Sequence, residues 1–332
     1  MTGNEYPKMR VWSHHRWEFP LPATHKFPLG KYALLAERVV EDGLVAPGDV
    51  LEPEPCSWDD LAAVHDCGLL SRIREGCLTA REARGLGLPW SEALVERGRR
   101  SVGGTIEAAF TALETGVAMN LGGGTHHAGR DFSRGYCLFN DVAVALALLR
   151  REDEARAALI VDCDVHQGDG TAHIFADDPR TFTLSVHGAR NYPFQRMPSD
   201  LDVDVASGTG DERYLRGLGE ALDFALERSR PYFAFYLAGA DPWAGDRLGR
   251  LALTKDGLRR RDELVLDRLR AEGIDVCVVL AGGYADDIRD TVDINAATAA
   301  VVATRQETGV IGQPGTVSTV STVVPPNAHH GH

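Results

Sequence analysis

From about residue 116 onward, short apolar runs alternate with longer stretches of helical periodicity. The runs predict strands at 116–121 (GVAMNL), 157–162 (AALIVD), 181–186 (TFTLSV), 232–238 (YFAFYLA) and 274–281 (IDVCVVLA). Between them the spacing predicts helices over 139–151, 169–176, 211–229, 254–272 and 286–304, with Thr254 a helix start and Gly273 a stop. Helices are also expected over 32–42 and 91–113, while 44–60, rich in proline and acidic residues, reads as a surface connection. Strands alternating with helices build a parallel sheet. The expected class is α/β: a single open, mostly parallel sheet flanked by helices on both faces. The pattern stops near residue 308, which predicts one domain over 1–308 and a disordered C-terminal tail over 309–332.

Composition narrows the function classes. The chain has 332 residues, 44 % of them hydrophobic and 25 % charged, enough for a full core. A net charge of −13 argues against a nucleic-acid partner, since phosphate binding needs a basic patch. That acidity would at most tolerate or weakly attract a cationic substrate. Six cysteines include no CxxC pair, so a zinc ribbon or redox dithiol is not expected. The first 31 residues mix prolines, charges and histidines without the apolar core of a signal peptide. No apolar stretch reaches membrane-spanning length, so a cytoplasmic protein with no membrane partner is expected. Oligomeric state is not legible. The tail's closing His329, His330 and His332 could bind metal adventitiously, but a functional site is not expected there, because exposed terminal histidines rarely have the rigid geometry of one.

Chemistry gathers where the strands end. Asp162-Cys163-Asp164-Val165-His166-Gln167-Gly168-Asp169 follows one run and Gly122-Gly123-Gly124-Thr125-His126-His127 another. Gly239-Ala240-Asp241 and Gly282-Gly283-Tyr284 close two more. In open α/β sheets, loops at the carboxyl ends of strands converge around a crevice. Asp164 and His166 at i and i+2 share a face of an extended segment. With Asp241 they make a one-imidazole, two-carboxylate set suited to Zn²⁺ or Fe²⁺. His126 is expected to pair with Asp162 and His127 with Asp169, a carboxylate fixing each ring's tautomer. Asp169 also reads equally well as the cap of a helix starting at Gly170. Tyr284 can donate to a developing oxyanion. The expected reaction is hydrolysis of an amide by a water activated at the metal. The His126/His127 pair would take its proton, and His127 would return one to the leaving amine.

Five segments together carry a family resemblance: GGGTHHA, RGYCLFND (Arg134–Asp141), LIVDCDVHQGDG (Leu159–Gly170), AGADPWAGDRLG (Ala238–Gly249) and AGGY (Ala281–Tyr284). In combination and order they resemble the metal-dependent histone deacetylase family with its arginase-like fold, over about residues 10–305. Gln167, Gly245–Gly249, Gly103-Gly104-Thr105 and His25-Lys26-Phe27-Pro28 with Lys31-Tyr32 are most similar to the class IV branch and its bacterial relatives. The resemblance implies the same metal ligands, acid/base pair and tyrosine. It adds a substrate tunnel with Gly135 and Tyr136 as one wall, Leu248 near the rim, and Tyr192 or Phe194 opposite. It also implies a structural K⁺ held by Asp162, Asp164, His166, Ser185 and Val186. Tyr136 where many relatives carry phenylalanine, and Ala281 for a common glycine, bear on substrate shape rather than on catalysis.

The implied substrate is an acyl-lysine in a protein or peptide, or a small acylated amine such as an acetylpolyamine, with acyl length open. An arginase-like ureohydrolase would need a second metal set, which Cys163 and Gln167 do not supply. A non-catalytic acyl-lysine binder would have lost a ligand, histidine or tyrosine, and all are present.

Overall fold

The computed structural model describes residues 9–152 and 157–308; the expected tail over 309–332 lies outside the described residues. Eight strands form one sheet: β1 (Val11–Trp12), β2 (Val50–Leu51), β3 (Val117–Asn120), β4 (Ala158–Asp162), β5 (Thr181–Gly188), β6 (Leu201–Val205), β7 (Phe233–Leu237) and β8 (Asp275–Val279). Their order is β2-β1-β3-β8-β7-β4-β5-β6, and every pairing is parallel. All carboxyl ends therefore lie along one edge. The four strands that carry the motifs, β3, β8, β7 and β4, are neighbours at its centre.

The central strands are buried on both faces, which explains why they read as continuous apolar runs rather than alternating ones. One face packs Leu159, Val161, Tyr236 and Val278 against helices 31–41, 211–229, 255–271 and 288–308. The other packs Ile160, Phe235 and Cys277 against helices 92–115 and 141–152. A further apolar cluster unites helices 58–62, 67–75 and 80–86 with Phe139 and Val144.

Helix boundaries follow capping chemistry. Ser91 Oγ accepts the Leu94 N–H at 3.1 Å, opening the 24-residue helix that ends at Gly116. Thr254 Oγ1 accepts the Gly257 N–H at 2.9 Å, as its position predicts, and Gly273 follows the helix end with φ 71°. The segment read as a connection over 44–60 contains a short 3₁₀ turn, edge strand β2 and the start of helix 58–62. β1, β6 and helices 67–75 and 80–86 were not among the expected elements.

His65 fastens two loops that frame the sheet edge. Its Nδ1–H donates to the Gly129 carbonyl at 2.9 Å, and Nε2 accepts the Asn140 N–H at 3.0 Å. The bond accepted at Nε2 needs the neutral ring, and burial pushes the His65 pKa down to about 4. Unfolded chains protonate this histidine near pH 6.5, whereas the folded protein resists down to about 4. The unfolded state thus binds more protons within that window. Stability should fall as pH drops through it, by on the order of 3 kcal/mol when complete. His65→Asn should flatten the slope of denaturation free energy between pH 6.5 and 4; equal slopes in the two proteins would contradict this role.

Candidate active site at the carboxyl edge of the sheet

A glycine turn aims the histidine pair. After β3 the chain passes through Gly123 and Gly124, both left-handed (φ 75° and 69°). A Cβ at 123 would collide with Asp141 Oδ2, so this turn needs glycine. Asp141 organises the turn from the start of helix 141–152. Its carboxylate accepts the Gly124 N–H at 3.0 Å, the Thr125 N–H at 2.8 Å and the Thr105 hydroxyl at 2.6 Å. His126 and His127 follow with ring centroids 4.1 Å apart.

Each ring has a buried carboxylate behind it. His126 Nδ1 lies 2.6 Å from Asp162 Oδ2, and His127 Nδ1 lies 2.5 Å from Asp169 Oδ1. Asp169 begins helix 169–175 and also receives a bond from Arg134, whose guanidinium caps its second oxygen. The two rings are electrostatically unlike. Burial works against a charged His126, but the negative charges of Asp162 and Asp164 outweigh it and raise its pKa to about 9. His127 is driven well below the ordinary value by burial and by the cationic neighbours His126 and His166.

The loops after β4 and β7 bring Asp164, His166 and Asp241 together, with one ligand atom from each within 4.8 Å of the others. All three are buried. Backbone N–H groups fix the carboxylates: Val165 donates to Asp241 Oδ1 at 2.8 Å, Gly282 to Asp164 Oδ2 at 2.5 Å and His166 to Asp164 Oδ1 at 2.8 Å. Beneath them the buried Arg261 guanidinium donates to the carbonyls of Gly239 (2.6 Å) and Cys163 (3.3 Å), joining the two loops. Asp262 balances its charge at 2.7 Å.

This cluster calls for positive charge. Burial, then the negative charge of Asp164, push Asp241 up to about 7. His166 rises to about 10 because Asp164 and Asp241 overcome the burial that opposes its charging. Asp241 Oδ2 makes no hydrogen bond although it is buried, with His166 Nδ1 3.2 Å away. An unsatisfied carboxylate oxygen beside an imidazole and a second carboxylate fits a divalent cation with N/O preference.

An outer pocket of about 400 Å³ opens onto this cluster. His127, His166 and Tyr284 form its floor, and its walls include the five residues expected along the tunnel: Gly135, Tyr136, Tyr192, Phe194 and Leu248. The Tyr192 ring meets His127 edge-on at 4.9 Å, and Phe194 is 89 % exposed at the mouth. Tyr136 itself is left-handed (φ 67°), a conformation rarely adopted by a bulky residue and typical of functional sites. The Tyr284 backbone is held by Asp246, which accepts its N–H at 2.6 Å, and by Arg247, which donates to its carbonyl at 2.8 Å. Burial, then Asp164 and Asp241, keep the Tyr284 phenol protonated, its pKa well above the ordinary value.

Of the residues expected around potassium, Asp162 pairs with Ser185 in the β4/β5 register, and Val186 follows it. Behind the metal cluster an inner cavity of about 70 Å³ is bordered by His126, Tyr284 and Lys31. The buried Lys31 ammonium donates to the Ala281 carbonyl at 3.3 Å and lies 5.8 Å from the Tyr284 ring centroid. Reading the residues alone gave no role to Lys31, Arg134, Asp141 or Arg261. Each acts across a long sequence separation, 250 residues for Lys31 and Ala281, and no local spacing announces it.

Comparison with known proteins identifies the family. The histone deacetylase domain matches residues 25–301. An uncharacterized protein of Picosynechococcus sp. is 44 % identical over 279 residues, covering 84 % of this chain and 93 % of its own. Histone deacetylase 2 of Arabidopsis thaliana is 33 % identical over 269 residues, 78 % of this chain and 70 % of its own. Among solved structures, that of an HDAC homolog complexed with SAHA superposes with a TM-score of 0.76 at 22 % identity, covering 89 % of this chain and 83 % of that one. With its domain match, its relatives and its sheet in agreement, this chain belongs to the histone deacetylase family.

Proposed function

We propose that this protein is a metal-dependent deacylase that hydrolyses the amide of an acylated lysine or related amine. The observation that carries this reading is the buried Asp164–His166–Asp241 cluster at the floor of the outer pocket, flanked by His127 and Tyr284. Zn²⁺ fits the donor set, with Fe²⁺ as the alternative. The metal, when bound, supplies Lewis acidity toward the acyl carbonyl and toward a water.

The chain's own groups divide the remaining work. His127 borders the outer pocket and is held neutral, so it is equipped to accept the proton of the attacking water and return it to the leaving amine. His126, held cationic by Asp162 and Asp164, keeps positive charge beside the reacting centre and depresses proton affinity at His127. The Tyr284 hydroxyl, protonated at neutral pH, donates to the oxyanion. Gly135, Tyr136, Tyr192, Phe194 and Leu248 hold the acylated side chain. A structural K⁺ would lie among Asp162, Asp164, His166, Ser185 and Val186, and kinship to the class IV branch is part of the same reading.

Among the described residues, only the Asp164–His166–Asp241 group meets the geometry of a metal cluster, which favours one catalytic ion over the two-manganese ureohydrolase arrangement. A non-catalytic binder would not need two carboxylate-backed histidines. Among the described residues no helix is long and apolar enough to cross a membrane. The six free cysteines suit a reducing, cytoplasmic setting.

The test is deacylase turnover across an acyl-length series of lysine peptides and an acetylpolyamine, with chelation and metal add-back. Activity that survives exhaustive chelation would exclude the metal-dependent reading. Tyr284→Phe should keep wild-type metal content and lose about 10²–10³ in kcat. Gly282→Ala should do the reverse: its Cβ would collide with Asp241 Oδ2 and Asp164 Oδ2. Metal affinity, measured by competition with a chromophoric chelator, should drop about 10–100-fold. Unchanged affinity would mean that these carboxylates are not the ligands.

A further inference from the structure

The outer pocket is bordered by three arginines, Arg84, Arg190 and Arg250, and by no aspartate or glutamate. All three side chains are exposed, and none has an acidic partner among the described residues. Many arginines elsewhere have acidic partners, such as Arg72 with Glu82, Arg150 with Asp178, Arg259 with Glu263 and Arg305 with Asp267, and others on the surface have none among the described residues. What sets this opening apart is that three converge on one pocket whose lining holds no carboxylate. At the rim itself, Arg247 is engaged by the Tyr284 carbonyl and by Asp286 at 3.5 Å. In a chain with 48 acidic residues against 35 lysines and arginines, leaving three guanidinium groups unmatched around one opening is a local inversion of charge.

The three come from separate segments: Arg84 from helix Ala80–Leu86, Arg190 from the loop after β5 and Arg250 from the loop that follows Asp241. One small anion would engage a single guanidinium or an adjacent pair. Cations contributed by three segments suit carboxylates on both sides of the side chain that enters the tunnel. Guanidinium matches carboxylate through paired hydrogen bonds, and unpaired charges at a cleft focus field on approaching ligands.

We infer that the substrates are acylated lysines flanked by acidic residues in a peptide segment, steered and held by Arg84, Arg190 and Arg250. This rests on the deacylase reading above and names its substrate class. It also makes acylated polyamines poor substrates, because their remaining ammonium groups would face the same arginines.

The experiment uses the full chain loaded with Zn²⁺ and three acetyl-lysine peptides that differ only at two positions on each side: aspartate/glutamate, serine/glycine, or lysine. At about 0.01 M ionic strength, kcat/KM should be about tenfold higher for the acidic peptide than for the neutral one, with the basic peptide lowest. The difference should collapse near 1 M salt, where the screening length shrinks to about 3 Å. In the triple variant Arg84→Gln/Arg190→Gln/Arg250→Gln the acidic-to-neutral ratio should fall to about one, the neutral peptide reporting that the variant is folded. Equal kcat/KM for the three peptides, or an acidic preference that persists in the triple variant, overturns the inference and leaves the deacylase reading standing. No turnover of any peptide by the metal-loaded protein removes that reading, and this inference falls with it.

Discussion

Two carboxylates buried against each other, Asp164 and Asp241, set the terms for the rest of the site. Unpaired charges cannot be removed from water cheaply, and in proteins such groups either neutralise or acquire a counter-charge. Here the fold fixes both anions with three backbone N–H groups from two loops, so they cannot turn away from each other. It then brings His166 and His126 beside them, whose pKa values rise to about 10 and about 9 in response. Only a sheet whose central strands end side by side can deliver these groups from positions 118 residues apart, as between Asp164 and Gly282. The buried Arg261 serves the same end from below, tying the β4 and β7 loops together through their carbonyls.

The asymmetry between the two histidines follows from that electrostatic frame. They are adjacent in sequence and both border the inner cavity, yet His126 is backed by Asp162 while His127 is backed by Asp169, with Arg134 behind it, and alone of the two reaches the outer pocket. Arg134 neutralises part of the charge that Asp169 would lend its histidine. His126 itself, once cationic, further disfavours a proton on His127. Tandem histidines thereby acquire different protonation states at one pH, the separation that acid/base chemistry requires. A carboxylate dyad alone does not decide which ring is charged; the next group outward does.

Most of the sheet was legible because its central strands are buried on both faces and read as unbroken apolar runs. The elements that escaped are those for which this signal fails. β1 and β2 are two residues each and too short to show a pattern. β6 is an edge strand with the sequence Leu-Asp-Val-Asp-Val, whose alternate residues are exposed, so its acidic positions hid it. The same division holds for the site. His126, His127, Asp162, Asp164, His166, Asp169, Asp241 and Tyr284 all follow strand ends within a few residues, and the loops bring them together. Asp141 and Arg261 act from helices, where a charged residue looks like any solvated one until the fold is known. Position along the chain reports what a strand end carries; it says nothing of what packs behind it.

Net charge is a similar case of a sum that conceals its distribution. At −13 the chain as a whole repels anions at long range, yet screening at physiological salt confines each charge to about 8 Å. Within that radius an approaching substrate senses the pocket rim and not the distant acidic helices. The acidic surplus lies elsewhere on the molecule, while the lining of the opening holds three arginines and no carboxylate. A substrate with acidic flanks would be turned away by the molecule at large and accepted at one place, so discrimination by charge sits at the entrance rather than around the metal ligands. The buried anions of Asp164 and Asp241 are shielded from that entrance by His127 and His166, both on the pocket floor, so the field at the mouth can be positive while the reaction centre remains anionic.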